Sequence, residues 1–464
     1  MYFKAGDDDT ICALSTAPGT GGIAVIRISG NQALQLTRKI CRFLPEKAES
    51  HRIYFGNCRA LENGEPIDEV VVSYFADGRS FTGEETAEIS CHGGQVISTA
   101  ILKELVKTGC RMARRGEFTY RAFMNGRLDL VQAESVLSLI ESQTQKSAKV
   151  ALRQLQGRLS SDFSAIENDL LWILAHLEAS IDFSTEGLET ISPSALAEKT
   201  IGLQSQIQKL ISSYQKGRLI KEGLQVALVG RPNAGKSSLL NALLKEDRAI
   251  VTAHAGTTRD LVEGQISLNG IPVTFVDTAG LRETENEVER IGIERSRLAM
   301  DRADFVFYVI DPTQEDWVED VETFYAEQRP NSFFLFNKSD LDKDGQLKNS
   351  TLKSIEYMEI LGRVFWISAV TSSGLDVVET MIAEHAKALD SENSNVVTQA
   401  RHLELLEKIQ SCLASALGLM REDSSPEFIA FELQEAIRVV HELLGKEFDE
   451  QVIDRIFKEF CLGK

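Results

Sequence analysis

The chain has 464 residues, too many for one domain at roughly 100–200 residues each, and its 43% hydrophobic content is enough for sizeable cores. A net charge of −19 sets most of its surface against phosphate backbones, so any nucleic acid must be met by a local patch or a partner. No apolar run approaches the ~20 residues that span a bilayer, the opening MYFKAGDDDTICAL has no apolar signal-peptide core, and seven scattered cysteines form no CxxC pair; a reducing cytosol is the expected location.

Residues 1–125 read as mixed α/β. GGIAVIRISG, EVVVSYFA and TAEISCHGG are rich in β-branched residues and read as strands. QVISTAILKELVKTG has helical apolar spacing and a glycine stop. Residues 126–222 read as helical, with a 3.6-residue apolar period through LDLVQAESVLSLIESQTQKSAKVALRQLQGRL and DLLWILAHLEASI. From 223 to 385 strands and helices alternate, beginning with GLQVALVG. Helical patterning returns over 386–464, in ARHLELLEKIQSCLASALGLM, EFIAFELQEAIRVVHELLG and a last helix into FKEFCLGK. An α/β unit inserted between two helical stretches is expected, with those stretches packed together to cover their apolar faces. Six cysteines read as small core hydrophobes, whereas Cys461 lies three residues from the end of the chain.

The central segment carries the strongest chemical signal. LQVALVGRPNAGKSSLLNALL matches G-x-x-x-x-G-K-[ST] in a strand–loop–helix context. Loop N–H groups and the following helix N-terminus cradle phosphates there, which implicates Asn233, Ala234, Gly235, Lys236, Ser237 and Ser238. Lys236 would reach the β/γ-phosphates and Ser237 would bind Mg²⁺. Further along, GTTRD offers Thr257 and Thr258, the latter able to close over Mg²⁺ and the γ-phosphate. PVTFVDTAG ends in Asp277, a Walker-B-type acid, followed by Thr278, Ala279 and Gly280. FFLFNKSD supplies Asn337, Lys338 and Asp340; a carboxylate at 340 accepts from guanine N1–H and its 2-amino group, which adenine lacks. FWISAVTSSGL adds Ser368 and Ala369. Each of the later pieces alone also suits an ordinary turn; in this order they specify a guanine-nucleotide site. Leu281 follows DTAG, so no glutamine orients the attacking water, and Glu283, Glu285, Glu287 and Glu289 are either candidates or solvated loop charges. Arg259 and Arg282 are candidate arginine fingers in cis.

Two tempting readings fail. SCHGG shows no metal-ligand spacing around Cys91 and His92. GTGGIA leads into a strand rather than a helix, so it is no dinucleotide fingerprint.

The chain resembles the MnmE (TrmE) family of tRNA-modifying GTPases along essentially its whole length. The resemblance rests on PGTGGIAVIRISG, SFTGEETAEISCHGG, GEFTYRAFMNGRLDLVQAE, GRPNAGKSSLLN, AIVTAHAGTTRD, DTAGLRETENEVERIGIER and the final FCLGK. The GTPase motifs alone would also fit Era- or Der-like ribosome-assembly GTPases; the flanking segments distinguish them.

The resemblance implies a folate-binding-like N-terminal α/β domain that dimerises, a helical domain, and a Ras-like P-loop G domain inserted into it. It implies a homodimer working with a flavoprotein of the MnmG (GidA) type, which carries FAD. Together they would add an aminomethyl or carboxymethylaminomethyl group to C5 of wobble uridine in certain tRNAs, with a tetrahydrofolate derivative as one-carbon donor. K⁺ would take the place of an arginine finger, held by Asn233, Thr252, His254 and Thr257; Asn233 alone also reads as a side chain satisfying its own loop. Thr252 would lie at the GTP as well. Glu289 matches the family's water-positioning acid. Arg27, Glu88, Arg127 and Lys464 match its folate positions, with an Arg27–Glu88 structural ion pair as the alternative. Position 127 is often Lys in the family, and Arg keeps the charge while changing geometry. Arg115 in RRGEF replaces a common proline, which predicts a less rigid loop. With the tail tucked toward the folate, Cys461 would be a nucleophile for the one-carbon unit, or else a docking element.

Overall fold

The computed structural model describes residues 9–182, 192–244, 262–277, 300–326, 329, 331–355, 360–387, 395–422, 424–461 and 463–464. The chain divides into two compact units: residues 1–140, 151–208 and 404–464 form the first, and 141–150 and 209–403 the second.

In the first unit, β1 (Ile11–Leu14), β2 (Ile23–Ser29), α1 (Ala33–Ile40), β3 (Arg52–Arg59), β4 (Pro66–Phe75), β5 (Thr86–His92), α2 (Gln95–Thr108) and β6 (Arg111–Met112) come first. The strands form one sheet in the order β3-β4-β5-β2-β1-β6. Alternation along the strands sends Ala24, Ile26 and Ile28 of β2 and Ala87, Ile89 and Cys91 of β5 to one face, where they pack with α1 and α2 through Leu36, Ile40, Ile101 and Leu105. As the sequence indicates, α2 stops at Gly109, whose N–H bonds the Leu105 and Val106 carbonyls. On the other face the register sets Arg27 opposite Glu88, and Glu88 opposite Ser73. Near β1 that face is covered by Phe81 and Phe118. Toward the β3 edge it leaves Ile53 and Phe55 exposed, at 70% and 67%.

Helices follow: α3 (Glu117–Met124), α4 (Leu130–Ile140), α5 (Gln145–Leu155), α6 (Arg158–Asp182) and α7 (Pro193–Glu222). The second unit then contributes β7 (Leu224–Val229), α8 (Lys236–Leu244), β8 (Val262–Leu268), β9 (Ile271–Asp277), β10 (Phe305–Ile310), α9 (Trp317–Ala326), β11 (Ser332–Phe336), α10 (Gln346–Ile355), β12 (Val364–Trp366) and α11 (Leu375–Lys387). Its sheet runs β12-β11-β10-β7-β9-β8, parallel except for β8. Central β10, FVFYVI, is buried at all six residues, as a strand covered on both faces requires.

The chain closes with α12 (Ala400–Arg421), α13 (Pro426–Leu444) and α14 (Glu450–Lys458). As their apolar stripes predict, helices from before and after the second unit pack together. α13 buries Leu433, Ile437, Val440 and Leu444. On α6, Glu167 accepts from Lys446 Nζ at 2.6 Å and lies 3.0 Å from His441 Nε2. Phe457 and Phe460 join Phe123, Leu130 and Ala133 in one core. Five cysteines are buried, Cys412 is half-buried and Cys461 is exposed, so Cys412 is less of a core residue than its sequence position suggests.

A buried charge network fastens α3 to the β1–β6 edge. Arg121 donates to Asp9 and Glu84, and Arg111 bonds Asp9 and Glu117. Burial works to raise the Glu117 carboxyl, but bonds from Arg111 and the Arg114 N–H, with the charge of Arg121, bring it below its usual range. The same balance, through Arg111 and Arg121, lowers Asp9. Both folded-state values lie below the unfolded ones, so this stability is complete above the ordinary carboxylate range and is lost as pH falls through the folded values. Glu117→Gln should therefore cost about 3 kcal/mol at neutral pH, because the buried Arg121 and the partly exposed Arg111 lose a buried counter-charge. The difference from wild type should shrink below pH ~4. Hydrogen exchange of α3 amides against pH checks this; an equal deficit at both ends would refute the charge explanation.

Candidate functional site

The phosphate loop joins the end of β7 to the start of α8. Gly235 has φ 100°, and a β-carbon there would sit 2.1 Å from Asn337 Nδ2, so only glycine lets the two motifs approach. Lys236 is buried, and its Nζ donates to the Gly230 and Arg231 carbonyls at 2.5 and 2.8 Å. Ser237 and Ser238 are exposed at the helix start. Asn233 is exposed and left-handed at φ 66°, and its side chain makes no hydrogen bond recorded among the described residues.

The residues expected to read the base are braced against one another. Asn337 Nδ2 donates to the Ala234 carbonyl at 2.9 Å, and its Oδ1 accepts from Ala369 N at 3.0 Å. Asp340 is exposed, with Oδ1 accepting from the buried Ser368 hydroxyl at 2.6 Å. That bond aims the carboxylate and leaves Oδ2 for a ligand. Lys338, left-handed at φ 64°, bonds Asp311. Burial works to raise the Asp311 carboxyl, while Lys338 and Thr313 bring it below its usual range. Asp277 ends β9 in register with Leu228. The sequence reading missed Asp311; its signal is an acid closing an apolar strand, in FVFYVID. Thr252, His254, Thr257, Thr258, Thr278, Ala279, Gly280 and Glu289 lie outside the described residues.

A second constellation lies on the sheet face of the first unit. Arg27 Nε donates to Glu88 Oε1 at 2.9 Å. The guanidinium lies 5.2 Å from the Phe81 ring centroid and 5.6 Å from that of Phe118. Its Nη atoms and Glu88 Oε2 make no hydrogen bond among the described residues. The ion pair of the alternative reading is thus present, but it uses only part of each group. Arg127 is exposed and lies against Gly83, where a β-carbon would be 3.1 Å from its Cγ.

The chain terminus reaches the same cleft. The Cys461 carbonyl accepts from Gly116 N at 3.4 Å. Gly463, at φ 90°, passes so close to β1 that a β-carbon would be 2.0 Å from the Leu14 carbonyl. Lys464 is partly buried; burial first, then the charge of Arg27, pulls its ammonium below the usual lysine range, while Glu88 and Cys461 oppose this. Next to Arg115, Gly116 packs closely, and a β-carbon there would meet the Phe457 carbonyl at 2.4 Å. Phe81, Phe118 and Gly463 were missed as site residues, although SFTGEE and FCLGK were both noted as motifs. His92 is held by Asp68 at 2.7 Å, and no group of three metal-ligating side chains occurs among the described residues.

Gly463→Ala should force the terminus off β1. Amides of 457–464 should then exchange at least tenfold faster, the ~1.4 kcal/mol equivalent of a strained backbone plus a blocked contact. Unchanged protection would show that the seat does not depend on the glycine.

Residues 10–127 match the family model described as GTP-binding protein TrmE N-terminus, and residues 130–461 that described as MnmE helical domain. The tRNA modification GTPase MnmE of Bdellovibrio bacteriovorus is 47% identical over 471 residues, covering 99% of this chain and 98% of that protein. That of Ligilactobacillus salivarius is 39% identical over 462 residues, covering 98% of each. The G domain of the T. maritima FeoB iron transporter is 27% identical, covers 35% of this chain and 98% of that one, and has a TM-score of 0.27; nothing in the functional reading rests on it. Matches that span both units, together with the phosphate loop, the guanine motif and the seated tail, lead to one assignment: the chain belongs to the MnmE (TrmE) family of tRNA modification GTPases.

Proposed function

We propose that this chain is a K⁺-stimulated GTPase that acts as a homodimer with an MnmG (GidA)-type flavoprotein. It uses GTP hydrolysis to drive aminomethyl or carboxymethylaminomethyl addition at C5 of wobble uridine in certain tRNAs. The observation that carries this reading is the seating of the FCLGK terminus at the Arg27–Glu88 cleft, in a chain that also holds a braced guanine-nucleotide site. The Era/Der-like ribosome-assembly alternative has no comparable observation behind it.

In the nucleotide site, Lys236 would exchange its two loop carbonyls for β/γ-phosphate oxygens, and Asp340 Oδ2 would accept from the guanine edge. The exposed hydroxyl of Ser237 suits Mg²⁺, with Thr258 its expected partner. The free carboxamide of Asn233 suits K⁺, with Thr252, His254 and Thr257 completing the set. K⁺ held there would supply positive charge to offset charge developing on the phosphates, as a guanidinium finger would. Glu289 is the proposed water-positioning acid.

In the cleft, the free Nη edge of Arg27 and the free Oε2 of Glu88 fit a reduced folate. Glu88 Oε2 would meet the pterin's amidine-like edge, the Arg27 Nη edge, paired with Glu88, would meet an acceptor at the same end, and Arg127 and Lys464 would suit the ligand's anionic groups. The folate would supply the one-carbon unit; Cys461, exposed beside the cleft, is proposed either as a nucleophile whose thiolate adds to a C=N⁺ carbon of that unit, the displaced electron pair passing to nitrogen, or as a docking element of the tail. The exposed Ile53 and Phe55 support dimerisation through the N-terminal sheet. The flavoprotein, with its FAD, would supply much of the tRNA contact that a chain of net charge −19 lacks. Among the described residues no helix is long and apolar enough to cross a membrane; a cytoplasmic location is proposed.

Two substitutions test the nucleotide site. Asp340→Asn should lower GTP hydrolysis at limiting nucleotide by at least tenfold, about 1.4 kcal/mol, and should favour xanthosine triphosphate, whose 2-carbonyl accepts from the new amide. Asn233→Ala should abolish the rate advantage of K⁺ over Na⁺ while GDP still binds. Retained GTP preference, or retained K⁺ stimulation, would remove the respective residue from its role.

A further inference from the structure

The loop between β4 and β5 touches two of the cations assigned above to folate, and nothing in that assignment explains why. Phe81 lies on the Arg27 guanidinium, and two residues later Gly83 lies on Arg127. The loop between them is held from beneath. Thr82 Oγ1 is 2.7 Å from Ser29 Oγ and 3.1 Å from Ser80 Oγ. Ser29 Oγ donates to Glu84 Oε2 at 2.7 Å, and Glu84 in turn accepts from Arg121. Asn125 Nδ2 donates to the Thr82 carbonyl at 2.8 Å. Ser29 and Thr82 are fully buried, so these bonds are made away from water, where breaking one leaves an unpaired group. The loop is therefore a fixed feature of the sheet, tied to β2 and to the Asn125–Arg127 turn.

Arg27 also needs a support of this kind. Its only side-chain hydrogen bond among the described residues is the one from Nε to Glu88, which leaves the guanidinium plane free to swing about that contact. Two aromatic rings within 6 Å remove that freedom and strip water from the charge. Phe118 is completely buried and belongs to a core; Phe81 is partly exposed, so its placement is harder to explain by burial alone.

We infer that Phe81 is a positioning residue for the reduced-folate site: its ring fixes the guanidinium of Arg27 so that the unbonded Nη edge faces the ligand, while the same rigid loop sets where Arg127 stands. This rests on the folate reading of the cleft. Phe81 touches no reacting atom; it acts through Arg27.

The test is the affinity of the full chain for 5-formyl-tetrahydrofolate, measured by calorimetry. Phe81→Tyr keeps the aromatic face and should bind within twofold of wild type. Phe81→Leu keeps apolar volume but has no ring, and should bind about 5- to 20-fold more weakly. If Phe81→Leu lowers the unfolding temperature, stepwise fluorination of phenylalanine at 81 drains the ring quadrupole at nearly constant shape, and affinity should fall with each fluorine. Wild-type affinity in Phe81→Leu, or no trend with fluorination, while Arg27→Ala loses binding, overturns the role of Phe81 and leaves the folate reading intact. No binding of the reduced folate by wild type overturns the folate reading, and this inference with it.

Discussion

Between Gly463 and the Leu14 carbonyl there is room for a hydrogen atom and little else. That contact brings the last residues of the chain to the first strand of its first sheet, and the terminal side of the cleft at Arg27 and Glu88 is built on it. The terminus is delivered there by α14, whose Phe457, with the following Phe460, is buried among Phe123, Leu130 and Ala133. The Phe457 carbonyl fills the space that a side chain on Gly116 would need, and the Cys461 carbonyl takes the Gly116 N–H. Tails are ordinarily dispensable and prone to fray. This one is packed, hydrogen-bonded and excluded from carrying a side chain at 463, which explains how a thiol and an ammonium can be held at a defined place.

The two sites use rigidity differently. At the proposed guanine end, Asn337 is bonded to Ala369 and Asp340 to Ser368, so the groups proposed to read the base are braced before any ligand arrives. At the phosphate end Lys236 is satisfied by its own loop, and that loop must surrender two hydrogen bonds to bind nucleotide. On the proposed reading, base recognition is preformed, while the phosphate contacts would replace existing ones. In the cleft, an ion pair whose side chains are only 15% and 25% exposed uses one oxygen and one nitrogen among the described residues, which leaves donor and acceptor for a ligand.

Much of this was legible beforehand because it depends on local pattern. GGIAVIRISG, EVVVSYFA and TAEISCHGG alternate or run apolar and became β2, β4 and β5. The phosphate loop reads directly because its chemistry is local to one strand–loop–helix unit. Strand β1, ICAL, has no alternation because almost all of it is buried, and β3 is an edge strand carrying arginine at both ends; neither stands out by period. Register was out of reach: Arg27 and Glu88 are 61 residues apart and meet because β2 and β5 pair antiparallel in one particular alignment. The aromatic support of Arg27 depends on that alignment too, so Phe81 read as part of a motif without a task. The tail read as an anomaly, since nothing in its own sequence names the carbonyl it packs against.

The most direct test of the account is to remove residues 461–464 and analyse the nucleosides of tRNA from cells that carry only the truncated chain. The account predicts loss of the aminomethyl-type groups at C5 of wobble uridine, while the purified truncated chain still hydrolyses GTP with K⁺ stimulation. Full modification by the truncated chain would contradict it, because the cleft would then work without the terminus that completes it.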